Sequence, residues 1–244
     1  MLRRLQGSRA RYAVPNGITF LSLGLGVAAI LASATGALTT AGALILLSYI
    51  LDLLDGEMAR RLSAGSSFGL QLDSLVDMVS LGTAPAVLAF FHLRPSLDST
   101  GLLVMLWLLT ILYTIAGAFR LARFNLLPAK TGQTDSVGLT ISTSGATLTL
   151  AVVSDIANNG ELIPAVFFLP LLFVLGLLMV SWIPFPSLTW VFSYRRANVI
   201  YLLFFAVTLI ALRLPAVTVW LLFNIGFLSA ALLRALAWRN RASN

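Results

Sequence analysis

A chain of 244 residues that is 59% hydrophobic and only 10% charged lies far below the roughly 25% charged content of soluble domains, which excludes a soluble globular protein. With no cysteine and one histidine, His92, it can form neither disulfides nor a metal centre of thiolates or several imidazoles. The net charge of +7 sits at the ends of apolar runs, where it serves topology and anionic headgroups; no nucleic-acid partner is expected.

Eight transmembrane helices are predicted in chain order, at about residues 17–36, 39–62, 68–92, 101–126, 138–157, 162–182, 197–212 and 215–237. Pro15-Asn16 precedes the first, and Pro164 lies near the start of the sixth, where a missing amide costs little. The first span has the basic flank and small residues (Ala32-Ser33-Ala34) of a leader, but it is long for one and is expected to remain. Gly24, Gly26, Ala28 and Gly42 are expected to let helices approach closely. The fold class is therefore an all-α polytopic membrane bundle, with 1–244 as a single membrane domain.

Of the sixteen cations, fourteen fall on one side in this arrangement. They are Arg3, Arg4, Arg9, Arg11, Arg60, Arg61, Arg120, Arg123, Lys130, Arg195, Arg196, Arg234, Arg239 and Arg241; Arg94 and Arg213 fall on the other. The positive-inside rule places that side, with both termini, in the cytoplasm.

Five of the nine acidic residues crowd into residues 52–77, in the pattern Asp52-x2-Asp55-Gly56-x2-Ala59-Arg60-x8-Gly69-x3-Asp73-x3-Asp77, with Glu57 the fifth. Each carboxylate costs about 2.5–3.5 kcal/mol at the centre of a bilayer on insertion scales. Packing does not explain four of them, and Arg60 and Arg61 cannot neutralise all four. Asp52 and Asp55 are three apart, Asp73 and Asp77 four apart, so each pair occupies one helix face. The joining loop is short, and both pairs can converge from adjacent antiparallel helices. Oxygen ligands alone favour one or two hard cations, Mg²⁺ or Mn²⁺.

These residues resemble the signature of the CDP-alcohol phosphotransferase family at every defined position: Asp52, Asp55, Gly56, Ala59, Arg60, Gly69, Asp73 and Asp77. The stretch Asp73-Ser74-Leu75-Val76-Asp77-Met78-Val79-Ser80 with Ala84-Pro85-Ala86 is similar to the family's phosphatidylserine synthase branch. So are Arg120-Leu121-Ala122-Arg123-Phe124-Asn125 and Leu178-Met179-Val180-Ser181. The resemblance implies a six-helix core at about 15–185, plus two C-terminal spans at about 197–237 that are scaffold or a homodimer surface. It also implies transfer of a phosphatidyl group from CDP-diacylglycerol to the hydroxyl of L-serine, releasing CMP, in phospholipid biosynthesis.

By that resemblance Asp52, Asp55 and Asp73 are metal ligands, and Asp77 is a ligand, the general base, or both. Asp52, Gly56, Ala59, Arg60 and Gly69 would receive the CDP moiety, although Arg60 could instead pair with a motif aspartate. Arg120, Arg123 and Asn125 would bind the acceptor or a phosphate, or the arginines could simply supply positive-inside charge. Other acceptors (glycerol 3-phosphate, an inositol phosphate, choline) and an archaeal-type lipid donor are the alternatives within the family. A divalent-cation transporter is the alternative outside it, but the acids gather near one face, and Asp155 and Glu161 are too few for a second mouth.

Overall fold

The computed structural model describes residues 10–62, 66–126, 135–186 and 215–242. The predicted seventh span at 197–212 lies outside them. Helices α1 (Ala10–Ala34) and α2 (Leu38–Leu62) pack as a hairpin whose turn places Gly36 at φ +84°, a conformation that suits a residue without a Cβ.

The third span, Ser67–Ser96, is not one uniform helix. It runs through α3 (Ser67–Asp77), a π-helical turn (Met78–Thr83), α4 (Ala84–Leu93) and a 3-10 turn (Arg94–Ser96). Ser66 caps α3 by accepting the Gly69 amide at 3.0 Å. In the π turn the Ala84 amide donates to the Val79 carbonyl, and the Thr83 hydroxyl donates to the Met78 carbonyl at 2.9 Å. The backbone bond spans five residues, the spacing that defines the wider turn, and the hydroxyl bond reinforces it. Pro85 follows in the first turn of α4, where no amide donor is needed.

Helices α5 (Thr100–Leu126), α6 (Ile141–Ala157), α7 (Ala165–Val180) and α8 (Ala216–Ala242) complete the described bundle. Among the described residues, five stretches are long and apolar enough to cross a bilayer: Tyr12–Ala34, Leu38–Arg60, Ser67–Ser96, Thr100–Leu126 and Ala216–Leu233. The apolar α6 and α7 are shorter; at 1.5 Å per residue they extend only about 25 Å. The expected all-α membrane bundle is what the described residues form. One addition is an antiparallel clasp of β1 (Asp135–Val137) and β2 (Pro184–Pro186), with Ser136 opposite Phe185. It occupies two of the polar breaks, where Pro184 and Pro186 cannot continue a helix.

Helix α6 is the axis of the bundle, with 14 of its 17 residues buried. By contrast α5 exposes Trp107, Leu108, Ile111, Leu112, Ile115 and Phe119, a face suited to acyl chains. Gly26 meets the Ser80 backbone and Gly42 meets Val153 so closely that a Cβ on either would overlap its partner; Gly24 has nothing within 4 Å. Gly145 of α6 lies against the Leu81 carbonyl of the π turn in the same way.

At the end away from the aspartates, His92 Nε2 and Asp155 Oδ2 are 2.9 Å apart. Asp155 Oδ1 accepts the Leu162 and Ile163 amides at 3.1 and 2.9 Å. The single histidine thus ties α4 to the turn between α6 and α7.

Candidate active site and metal centre

The C-terminal half of α2 carries Asp52 and Asp55, and α3 carries Asp73 and Asp77 across from it. Asp52, Asp55 and Asp73 each offer a carboxylate oxygen, and these atoms lie within 4.8 Å of one another. The side chain of Asp77 is hydrogen bonded to that of Asp52. Two carboxyl groups in this relation share one proton or one cation. An all-oxygen set this close has a mutual repulsion that a hard divalent ion removes, so the residues fit Mg²⁺ or Mn²⁺.

Two hydroxyls that the sequence reading did not single out hold this centre. The Thr19 hydroxyl of α1 reaches the buried Asp55 Oδ2 at 2.7 Å and lies 3.0 Å from the Pro15 carbonyl. Ser142, in the first turn of α6, hydrogen bonds to Asp52. Each crosses from another helix and carries no motif of its own, so no local pattern announces it.

Asp52, Asp73 and Asp77 open onto a cavity of about 230 Å³. Arg120, Ser74, Thr140, Ser142 and Thr143 share its polar wall, while Leu53, Leu121, Phe124, Phe185 and Phe227 form an apolar one. Arg120 is buried, stacks its guanidinium 5.5 Å from the Phe124 ring, and exerts its charge on Asp77 and Asp52. Phe227 comes from α8, a helix with little polar chemistry of its own.

The two arginines of α5 part company here. Arg123 Nη1 donates to the Val180 carbonyl at 2.7 Å, and Nη2 lies 2.9, 3.1 and 3.1 Å from the carbonyls of Val137, Met179 and Ser181. Its guanidinium also lies 5.0 Å from the Trp182 ring. It is not among the cavity's lining residues; it caps the C-terminus of α7, where a cation meets the helix dipole and the last free carbonyls. Asn125 exchanges hydrogen bonds with Ser74, at 3.1 Å from its Nδ2 and 3.3 Å to its Oδ1, so it reaches the cavity through Ser74.

The small and basic motif residues are also placed. Arg60 pairs with Glu57 at 3.0 Å, on the exposed surface, rather than with a motif aspartate. A Cβ on Gly56 would meet only Arg60 Nη1, at 3.6 Å, leaving open space beside the half-buried Ala59. A Cβ on Gly69 would press on Ser66 Oγ at 3.1 Å and Asn16 Oδ1 at 3.5 Å. Gly69 therefore lets α3 and its cap sit against α1, on the side where Asn16 already fills the space.

Gly138 is needed for two reasons. Its φ is +79°, and a Cβ there would come within 2.6 Å of both Arg123 Nη2 and the Met179 carbonyl. Gly138→Ala is expected to cost about 1–2 kcal/mol for the left-handed backbone and about 1–3 kcal/mol for overpacking. Thermal unfolding in detergent should register this as a loss of several degrees.

The fold and the site together define a polytopic membrane protein with a carboxylate cluster that could hold a hard cation, set beside an amphipathic cavity. The sequence matches the CDP-alcohol phosphatidyltransferase family over residues 12–183, and the chain belongs to that family. It is similar to the CDP-diacylglycerol–serine O-phosphatidyltransferase of Helicobacter pylori, 33% identical over 181 residues that cover 72% of this chain and 73% of the relative. The protein of the same name from Methanocaldococcus jannaschii is 34% identical over 192 residues, 79% of each chain. An archaetidylserine synthase of Methanothermobacter thermautotrophicus is 30% identical over 176 residues, 71% of this chain and 70% of that one.

Proposed function

We propose that this protein makes phosphatidylserine, transferring the phosphatidyl group of CDP-diacylglycerol to the hydroxyl of L-serine with release of CMP. The observation that carries the reading is the meeting of Asp52, Asp55 and Asp73 within 4.8 Å, beside a cavity that also holds Asp77 and Arg120. The names of the relatives in Helicobacter and Methanocaldococcus point to the same donor and acceptor.

In this reading Asp52, Asp55 and Asp73 hold the cation. When bound, a divalent ion neutralises the diphosphate and stabilises the departing phosphate. Asp77 stands outside that three-oxygen set and is the carboxylate least committed to metal. It takes the proton of the serine hydroxyl as the serine oxygen bonds to the phosphorus next to diacylglycerol, while the bond from that phosphorus to the oxygen of CMP breaks. A carboxylate is a weak base for an alcohol, so it acts on a hydroxyl that is already oriented. Arg120, a buried fork on the same cavity, suits the serine carboxylate.

Gly56 and Ala59 leave room for the nucleotide, and the apolar wall receives the start of the lipid. The tails remain in the bilayer while serine and the nucleotide come from water. The excess of cations at this end of the bundle supports a cytoplasmic face for the site.

CMP release by purified protein supplied with CDP-diacylglycerol tests the reading directly. Release should require both L-serine and Mg²⁺ or Mn²⁺ and should stop on chelation. Release with another alcohol and not with serine would overturn the acceptor. Metal uptake into vesicles with no release from any acceptor would overturn the enzyme in favour of a transporter.

A further inference from the structure

One helical turn beneath the carboxylates lies a second buried polar layer. Ser22, Ser48 and Ser80 come from α1, α2 and the π turn, and all are buried at 2% exposure or less. Ser22 Oγ and Ser48 Oγ are 2.7 Å apart, and the Ser48 hydroxyl also lies 3.3 Å from the Ser22 carbonyl. The Ser80 hydroxyl donates to that same Ser22 carbonyl at 3.1 Å. Gly26 makes the contact possible, because a Cβ there would overlap Ser80.

The register of this layer ties it to the site. Ser48 precedes Asp52 by four residues, Ser80 follows Asp77 by three, and Ser22 follows Thr19 by three. Ser48 and Ser22 therefore sit one turn from Asp52 and from Thr19, each on the same face of its helix, while the π turn brings Ser80 to the Ser22 carbonyl just after Asp77. Hydrogen bonds between transmembrane helices are worth about 1 kcal/mol each, and here three hydroxyls converge where three elements must keep register.

We propose that Ser22, Ser48 and Ser80 are positioning residues for the metal centre. Their hydroxyls fix the separation between the α2 pair Asp52/Asp55 and the α3 pair Asp73/Asp77, and so set how tightly the oxygen cage closes on a cation. They touch neither metal nor substrate; they act through the helices that carry the ligands. The π turn is part of the device, since it delivers Ser80 to Ser22 immediately after Asp77.

The inference rests on the metal reading above, and its test reads metal binding rather than turnover. Full-length protein in detergent is titrated with Mn²⁺ by electron paramagnetic resonance, alongside thermal unfolding with and without the ion. Ser48→Ala and Ser80→Ala should each weaken Mn²⁺ binding by about tenfold, the range seen when residues supporting metal ligands are removed. They should also shrink the stabilisation that Mn²⁺ gives. Ser80→Cys, which keeps a weak donor of similar size, should recover part of the loss and serves as the variant if Ser80→Ala does not fold.

Thr110→Ala is the control, because that hydroxyl donates to the Leu106 carbonyl of its own helix at 2.8 Å. Binding should be unchanged there. Serine variants that unfold at lower temperature yet bind Mn²⁺ within twofold of wild type would overturn the proposal and leave a packing role. So would an equal loss of binding in Thr110→Ala. A wild-type protein that binds no Mn²⁺ would overturn the metal reading itself, an outcome distinct from failure of the serine layer alone.

Discussion

Asp77→Asn should lower serine-dependent CMP release by about 10²- to 10⁴-fold, the contribution typical of a positioned general base, while Mn²⁺ binding changes by only a few-fold. The split follows from the geometry. Asp52, Asp55 and Asp73 supply the three close oxygens, and Asp77 reaches that set through its hydrogen bond to Asp52. An asparagine keeps the shape and can still donate to Asp52, but it cannot accept the proton of an alcohol. Single-turnover CMP release and Mn²⁺ titration on the same preparation check both halves. If the variant loses Mn²⁺ binding as fully as Asp52→Ala, Asp77 is chiefly a ligand and the proton goes elsewhere.

The second large effect is expected at a residue with no side chain of its own. Gly145→Val places a branched side chain where even a Cβ would overlap the Leu81 carbonyl and come within 3.2 Å of Pro85. The obstruction is main chain in the π turn, and α6 is buried on nearly every side, so neither partner can yield cheaply. Overpacking of this kind costs about 3 kcal/mol or more. The unfolding temperature should fall sharply, and activity should fall with it, because α6 also carries Ser142 to Asp52. An unfolding temperature within a degree or two of wild type would show that α6 can shift away from the π turn.

The sequence made the carboxylate centre legible for a simple reason. Spacings of three and four on two helices joined by a short loop leave few other places for Asp52, Asp55, Asp73 and Asp77 to go. Helix existence was legible too, because apolar runs of this length have few other uses. Close helix approach at Gly26 and Gly42 was legible as well, but the polar contacts between helices escaped. Thr19, Ser142 and the Ser22–Ser48–Ser80 layer are ordinary hydroxyls in apolar runs, and their partners are 26 to 90 residues away. The π turn is crowded by neighbours that Gly26, Gly82 and Gly145 admit, and no local spacing announces which neighbours those are. Helical spacing put Arg120 and Arg123 on one side of α5, yet the two guanidiniums diverge: one stacks on Phe124 in the cavity, while the other reaches the open carbonyls at the end of α7.

Phe227 gives the last helix a meaning that its composition hides. The segment shared with the family ends at residue 183, yet a side chain from α8 stands in the same cavity as Asp77. The aspartates thus lie within the matched segment, while the apolar wall of their cavity is completed by a helix beyond it. A change at Phe227 would therefore alter the cavity's outline and leave all four carboxylates in place.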